Sequence, residues 1–262
     1  NGDKNVIYAE GCKKMGTDRS GFKAAMDAVD QADKVLMVIG EDWDWSGEAA
    51  SRTDIGVPGI QSELLKMIAS TGKPVAVVLL NGRPLVLEEE SKDADALLEA
   101  WYPGTMGAEA VTDIIFGQYN PSGKLTMTFP RSVGQVPLFY YEKNTGRPIY
   151  LPSDKYKSKY LDSPNEPLYP FGYGLSYTEF KYSGLVLSSP QMKKGKTIQA
   201  TVTVTNTGNR TGEEVVQLYI RDLIGSVTRP VKLLKGFQKI SLAPGETMNI
   251  SFTIDEEMLS FW

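Results

Sequence analysis

The chain has no histidine and only one cysteine, Cys12, in its 262 residues. Without histidine it cannot build a Ser-His-Asp or Cys-His catalytic site, or the usual histidine-containing zinc site. A single cysteine cannot form a disulfide within the chain, so the redox compartment stays open. Carboxylates are therefore the leading candidates for any acid–base chemistry.

The sequence also lacks a strong excess of one charge and any long apolar run. Its net charge of −4 is spread along the chain, which leaves no basic patch and gives no indication of nucleic-acid binding. No apolar stretch approaches the roughly 20 residues that a membrane-spanning helix needs. No signal peptide is visible at the amino end, and this absence excludes no compartment.

Apolar runs alternate with stretches of helical spacing over residues 1–130. This alternation predicts an α/β domain with a largely parallel sheet that is sandwiched by helices. We expect strands at Val6–Ala9, Val35–Ile39, Pro74–Leu80 and Ala96–Trp101, and helices at Ser20–Gln31, Pro58–Ser70 and Met106–Phe116.

The periodicity disappears over residues 131–178, where prolines and tyrosines are frequent. The prolines are Pro137, Pro148, Pro152, Pro164, Pro167 and Pro170. A segment of this length is too long for a simple connector, so we predict an irregular interdomain segment that either carries function or wraps over another surface.

Residues 179–262 change to the period of two that is typical of strands, with turn signals between the runs. This pattern predicts a fibronectin-type-III-like, immunoglobulin-like β-sandwich. Such a sandwich has about seven strands, and we count five at most, so we expect it to be incomplete in this chain. Unpaired strand edges would favour association with another chain, which makes a homodimer possible.

An acidic loop follows the predicted strand Val35–Ile39 and runs from Gly40 to Ile55. Open α/β sheets bind their ligands at this end of a strand. Carboxylates transfer protons, and the faces of Trp43 and Trp45 can pack on sugar rings. The loop therefore indicates a carbohydrate site; a solvated acidic loop whose tryptophans merely pack is the alternative.

Several longer motifs occur in a fixed order along the chain. They are Gly40-Glu41, Ser46-Gly47-Glu48-Ala49-Ala50-Ser51-Arg52, Asn81-Gly82-Arg83-Pro84, Trp101-Tyr102-Pro103-Gly104, Phe116–Leu125 and Tyr169–Tyr177. Together they resemble the carboxyl-terminal half of glycoside hydrolase family 3 β-glucosidases of the bacterial periplasmic type. The resemblance covers almost the whole chain.

The resemblance implies an enzyme of three parts: an amino-terminal (β/α)₈-type barrel, an α/β sandwich domain and a fibronectin-type-III-like domain. It implies that the nucleophilic aspartate lies on the barrel, which this sequence lacks, and that the first strand of the sandwich domain lies upstream of Asn1. It further implies a periplasmic or extracellular location, β-linked glucosides or oligosaccharides as substrates, and no metal or organic cofactor.

Enzymes of this family are retaining glycosidases, which place two carboxyl groups about 5 Å apart across the scissile bond. The motif match makes Glu48 the candidate acid/base, with Glu41 as the alternative. Glu41 lies directly at the strand end and is better placed to orient the loop.

Trp43 and Trp45 are candidates for a wall of the sugar site, with simple packing as the alternative. Arg52 is a candidate sugar ligand, and an ion pair with Asp54 or Glu48 is its structural alternative. Asn81–Pro84 is expected to be a turn that shapes the cleft, with a direct substrate contact as the alternative.

The predicted function is to supply the general acid/base to a retaining β-glucosidase site that is shared with the missing barrel. We expect the isolated chain to be inactive. The alternative is a non-catalytic module that binds carbohydrate or another domain. A flavodoxin-like nucleotide binder is disfavoured because no phosphate-binding glycine loop follows any predicted strand.

Overall fold

A computed structural model describes residues 6–147 and 155–260 of the chain. The chain divides into two compact units, of which the first comprises the residues up to 112 together with 129–137 and 166–169. The second unit comprises 113–128, 138–165 and the residues from 170 onwards. The irregular segment predicted over 131–178 is thus shared between the units, and its Pro148 and Pro152 lie outside the described residues.

The first unit contains a parallel sheet whose strands alternate with helices along the chain. Its strands are β1 (Val35–Gly40), β2 (Val75–Leu80) and β3 (Ala96–Glu99), hydrogen-bonded in that order. The helices are α1 (Phe22–Gln31), α2 (Gln61–Ala69), α3 (Glu90–Asp93) and α4 (Gly107–Ile115), the last of which runs across the boundary between the units. The predicted α/β class with a largely parallel sheet is confirmed.

Burial follows the apolar pattern of each element. Helix α2 turns Leu64, Leu65 and Ile68 into the core, because these positions fall on one face at helical spacing. Strand β2 is buried along most of its length, as its continuous apolar run predicts. Edge strand β1 leaves Leu36 and Val38 about half exposed, while the alternate positions are buried.

The predicted strand Val6–Ala9 is wrong. These residues form no strand, and the side chains of Val6 and Tyr8 are 68% and 85% exposed. An apolar run becomes a strand only where a neighbouring strand supplies partners for its backbone groups. Among the described residues no strand pairs with this segment.

Helix α2 begins at Gln61 rather than at Pro58, because Gly59 adopts a left-handed conformation with φ of 67°. The Gln61 side chain accepts a hydrogen bond from Gly40 N at 2.9 Å and donates to Gly40 O at 2.9 Å. It also donates to Pro58 O at 2.9 Å. The start of α2 therefore fixes the carboxyl end of β1, where the acidic loop begins.

The second unit contains the five strands that the sequence predicts. They are β4 (Phe180–Leu187), β5 (Ile198–Asn206), β6 (Gly212–Ile220), β7 (Leu233–Leu242) and β8 (Thr247–Ile254), followed by the short helix α5 (Glu256–Leu259). One antiparallel sheet has the order β4-β5-β8, and β6 and β7 form a second antiparallel pair. Buried Val204, Val216, Leu242 and Ile250 belong to one apolar core. The predicted fibronectin-type-III-like character of this region is confirmed.

Asn206, at the end of β5, is the buried polar centre of the second unit. Its side chain donates to Arg210 O at 2.7 Å and to Leu242 O at 2.9 Å. Its Oδ1 accepts from Thr178 Oγ1 at 2.7 Å and from Gly208 N at 3.1 Å. All its hydrogen-bonding capacity is used to hold the turn after β5 against the neighbouring chain segments.

The motif Phe116–Leu125 is also anchored within the second unit. Asn120 Oδ1 accepts from Ser176 Oγ and from Tyr177 N, each at 2.8 Å. Lys124 Nζ pairs with Glu214 at 3.0 Å and donates to Gly174 O at 2.8 Å. These contacts join two of the sequence motifs and the start of β6.

Candidate active site

A buried ion-pair centre lies at the base of the acidic loop. The side chain of Glu41, which follows β1, is fully buried. Its Oε1 accepts a hydrogen bond from Arg52 Nη1 at 2.6 Å and lies 3.2 Å from Arg83 Nε. Its Oε2 accepts from Gly82 N at 3.3 Å, while its own backbone N donates to Leu80 O at 2.8 Å. One carboxylate thus faces two guanidinium groups.

Arg52 is held on three sides. Besides Glu41, it donates from Nη2 to Gly56 O at 3.2 Å, and its guanidinium carbon lies 4.8 Å from the ring centroid of Trp45. The structural alternative for Arg52, an ion pair, is therefore what the structure shows, but its partner is Glu41 and not Asp54 or Glu48. Both of those carboxylates lie on exposed residues, whereas Glu41 is buried where charge pairing is stronger.

The two candidate tryptophans lie on a single turn of 3₁₀ helix, Trp43–Trp45. Asp42 caps this turn by accepting from Trp43 N at 2.9 Å, and it pairs with Lys14 at 2.6 Å. The Tyr102 hydroxyl donates to Asp42 O at 2.8 Å. Trp43 is 77% exposed, whereas Trp45 is half-buried against Arg52.

Glu48 lies at the tip of the loop, beyond these anchoring contacts. Its side chain is exposed, and within the described residues it makes no salt bridge or hydrogen bond. The tip reverses direction sharply, because its neighbours Gly47 and Ala49 have positive φ values of 125° and 59°. The carboxyl group of Glu48 is therefore free to meet another molecule or domain.

Arg83 lies just after β2 and contacts the same loop. Its Nη2 donates to Trp45 O and, at 2.8 Å, to Ala50 O. Glycine is needed beside it, because a Cβ on Gly82 would lie 1.8 Å from Ser46 Oγ. The expectation that Asn81–Pro84 is a turn did not include these contacts. The sequence did offer one indication of these contacts, because Arg83 follows the carboxyl end of the strand that lies next to β1.

Glu99, the last residue of β3, was missed by the sequence reasoning. Its Oε1 accepts from Trp101 N at 2.8 Å. Burial raises the pKa of Glu99 to about 7, and hydrogen bonds from Trp101 N and Asn81 oppose that rise only in part. The sequence indication of this site was a single carboxylate at the end of the otherwise apolar strand Ala-Leu-Leu-Glu.

Each of the three strands thus ends at a buried or half-buried polar residue. These residues are Glu41, Asn81 and Glu99.

The described residues contain no group of three or more histidine, cysteine, aspartate or glutamate side chains that could hold a metal ion. No helix in the described ranges has both the length and the apolarity to cross a bilayer.

Comparison with protein families matches two models in succession. Residues 2–177 match the glycosyl hydrolase family 3 C-terminal domain, and residues 214–262 match a fibronectin type III-like domain. The first match alone covers more than half of the chain.

Individual relatives agree with these matches. A periplasmic β-glucosidase of Salmonella typhimurium is 53% identical over 240 residues, which cover 91% of this chain and 31% of the relative. A β-xylosidase of Formosa agariphila is 45% identical over 255 residues, which cover 97% of this chain and 34% of the relative.

A crystal structure of a β-glucosidase from Listeria innocua in complex with isofagomine superposes with a TM-score of 0.91 at 40% identity. The match covers 95% of this chain and 35% of that one. The chain thus spans about a third of the length of these relatives. It belongs to glycoside hydrolase family 3 and carries the family's C-terminal domain followed by a fibronectin type III-like domain.

Proposed function

We propose that this chain supplies the general acid/base to the active site of a retaining β-glucosidase. The nucleophilic aspartate would come from an amino-terminal barrel that this sequence lacks. Membership of the family supports this proposal, as does the length of the relatives, of which the chain covers only about a third.

In this proposal Glu48 acts twice. As a carboxylic acid it donates a proton to the glycosidic oxygen while the aspartate attacks the anomeric carbon, so the alcohol leaves and a glycosyl-enzyme forms. As a carboxylate it then takes a proton from water, whose oxygen attacks the anomeric carbon and displaces the aspartate. The sugar is released with its configuration retained.

The contrast between Glu41 and Glu48 is the observation that carries the assignment. Glu41 is fully buried and faces two guanidinium groups, so it cannot reach a glycosidic oxygen. Glu48 is exposed at the loop tip and is engaged by no ion pair among the described residues. We therefore assign chemistry to Glu48 and orientation of the loop to Glu41.

Trp43 is the stronger candidate for a wall of the sugar site. Most of its indole surface is exposed, which leaves a face that can pack on a pyranose ring. Trp45 contributes a smaller surface, because Arg52 covers one side of its ring. Arg52 itself would act on the sugar through Trp45 and the loop, because its guanidinium group is engaged by Glu41 and Gly56.

The substrate would be a terminal β-linked glucose on a glucoside or oligosaccharide, and the enzyme would act in the periplasm or outside the cell. The relative named as a periplasmic β-glucosidase supports both points. A terminal β-linked xylose is the second candidate, because another relative of comparable similarity is named a β-xylosidase. Aryl β-glucosides and β-xylosides tested side by side on the full-length protein distinguish them.

The test of the assignment is Glu48→Gln in the full-length protein. With phenyl β-glucoside, kcat/KM should fall by about 10²- to 10⁴-fold, because the leaving group needs a proton. With dinitrophenyl β-glucoside the loss should be far smaller, and added azide should restore turnover by forming glycosyl azide. Wild-type activity of this variant on phenyl β-glucoside would refute the assignment.

Glu41→Gln is the matched comparison, and it should differ in stability. Removing this charge leaves two guanidinium groups facing a neutral amide, which should cost about 3–5 kcal/mol of unfolding free energy. Glu48→Gln should change that free energy by less than about 0.5 kcal/mol, because the side chain is exposed. Urea unfolding of both variants measures the difference, and equal effects would contradict the separation of roles.

The alternative function is a non-catalytic module that binds carbohydrate or another domain. It would be supported if the wild-type full-length protein hydrolysed neither aryl β-glucosides nor aryl β-xylosides. The predicted homodimer is a separate question. Light scattering on the full-length protein tests it directly.

A further inference from the structure

Arg83 holds the two ends of the loop tip that carries Glu48. Its Nη2 donates to the carbonyl oxygens of Trp45 and Ala50. Those two carbonyls bracket residues 46–49, so a single guanidinium nitrogen fixes the distance across the mouth of the tip. The side chain of Glu48 itself makes no contact that would hold it in place among the described residues.

The guanidinium group of Arg83 is in turn fixed to the sheet. Its Nε lies 3.2 Å from Glu41 Oε1, an ionic contact rather than a well-aligned hydrogen bond. Glu41 is anchored to β2 through its own backbone N, which donates to Leu80 O at 2.8 Å. The path from sheet to tip therefore runs from Glu41 through Arg83 to the carbonyls of Trp45 and Ala50.

Close packing beside Arg83 limits the loop further. A Cβ on Gly82 would lie 1.8 Å from Ser46 Oγ and 2.9 Å from a ring carbon of Tyr102. Ser46, the first residue of the tip, thus lies against the backbone of the segment after β2. Any larger residue at position 82 would push the tip away.

We propose that Arg83 is a positioning residue for the general acid/base, acting on Glu48 through the loop backbone and not on the sugar. This inference rests on the proposed role of Glu48. A planar guanidinium group can serve the carboxylate of Glu41 and two carbonyls together, whereas an ammonium group has no comparable fork. Arg83→Lys should therefore keep the charge next to Glu41 but hold the tip less well.

The test compares leaving groups in the full-length enzyme. In Arg83→Gln, kcat/KM for phenyl β-glucoside should fall by about 10- to 100-fold, because a displaced acid protonates a poor leaving group slowly. For dinitrophenyl β-glucoside kcat/KM should stay within about threefold, since that leaving group needs little proton donation. Azide should raise the turnover of dinitrophenyl β-glucoside by Arg83→Gln, as is expected for Glu48→Gln. Arg83→Lys should lie between Arg83→Gln and the wild type.

A second variant keeps the test decisive if Arg83→Gln folds poorly, and a third serves as the control. Gly82→Ala changes no charge and should produce the same leaving-group-dependent loss. Arg19→Ala removes an exposed arginine that pairs with Glu63 at 2.6 Å on the surface of the same unit, and it should leave both substrates unaffected. Hydrogen exchange should be faster at residues 46–50 in Arg83→Gln and unchanged in α1.

Equal losses on both substrates, or no loss on either, in Arg83→Gln and Gly82→Ala would overturn the inference. Glu48→Gln measured in parallel distinguishes a failure of the positioning role from a failure of the proposed function. If that variant shows the leaving-group-dependent loss and the Arg83 variants do not, only the positioning role fails. If Glu48→Gln is unaffected, the proposed function fails with it.

Discussion

Glu41, Glu48 and Glu99 differ in burial and in the groups that surround their carboxylates. Glu41 is buried, but two guanidinium groups compensate its charge. Glu99 is also largely removed from water, and the groups that shift its pKa include no cation, so burial raises that pKa to about 7. Glu48 remains exposed. The three glutamates thus differ both in burial and in the charges that face them.

Stability of the first unit should fall as pH rises, because of Glu99. Its folded-state pKa of about 7 lies above the ordinary value of 4.5, so the folded state binds this proton more tightly than the unfolded state. The stabilisation is therefore complete below about pH 4.5 and is lost as pH rises through about 7. Glu99→Gln should remove this dependence and raise the unfolding free energy at about pH 8 by up to about 3 kcal/mol.

Urea unfolding followed by tryptophan fluorescence measures the effect, because Trp43, Trp45 and Trp101 all belong to the first unit. Glu109→Gln, at an exposed position of α4, is the control and should keep the wild-type pH dependence. The prediction fails if Glu99→Gln and the wild type lose stability in parallel between about pH 5 and about pH 8.

At the level of single residues, the sequence predicted an acidic loop at the carboxyl end of β1 but not the contacts that hold it. Glu41 was expected to orient the loop because it follows a strand directly. Its partners Arg52 and Arg83 could not be inferred, since Arg83 approaches Glu41 only through the parallel pairing of β1 with β2. Such contacts depend on strand order, which hydrophobic patterns do not report.

Secondary-structure elements with a strong apolar pattern were predicted well. Strands β1 and β2 and helix α1 lie within a few residues of their predicted positions, and the sandwich region contains the predicted number of five strands. Val6–Ala9 failed, because its apolar pattern carries no information about whether a neighbouring strand exists. The boundary of α2 also shifted, since the conformation of Gly59 and the side-chain hydrogen bonds of Gln61 override the preference of proline for a first helical turn.

The turn after β5 should depend on Asn206. Asn206→Ala removes four hydrogen bonds and leaves buried partners such as Leu242 O unsatisfied, which should cost about 2–4 kcal/mol of unfolding free energy in the second unit. Thr203→Ala, which removes an exposed hydrogen bond to Asn249 in the same sheet, should cost less than about 1 kcal/mol. Differential scanning calorimetry compares the two, and similar shifts of the unfolding transition would contradict the central role of Asn206.

For the whole molecule, family membership was recognisable from sequence because several motifs occur in order over nearly the entire chain. Their structural roles differ: Gly40–Arg52 and Asn81–Pro84 build the loop and its base, whereas Phe116–Leu125 is anchored on the sandwich. A motif can thus identify the family even when the structural role of that motif is unknown. The substrate is less well specified, since relatives of comparable similarity carry different sugar names.

The isolated chain should not hydrolyse aryl β-glucosides, because a general acid/base alone contributes only about 10²- to 10⁴-fold. Adding a separately produced amino-terminal portion of the full-length protein, or using the full-length protein itself, should yield activity. A chromogenic assay of the purified chain decides the question. Hydrolysis by the chain alone that is abolished by Glu48→Gln would show that the site is complete without a second domain.

The contacts beneath the loop have a consequence for altering specificity. Arg83 holds the loop through the carbonyl oxygens of Trp45 and Ala50, which every amino acid would provide. Trp43 and Asp44 are both exposed, and neither side chain takes part in these contacts or in the pairing of Glu41 with Arg52, so both can be exchanged without removing the support of the loop. A library randomised at Trp43 and Asp44 should yield enzymes with new sugar preferences at a high rate of correct folding.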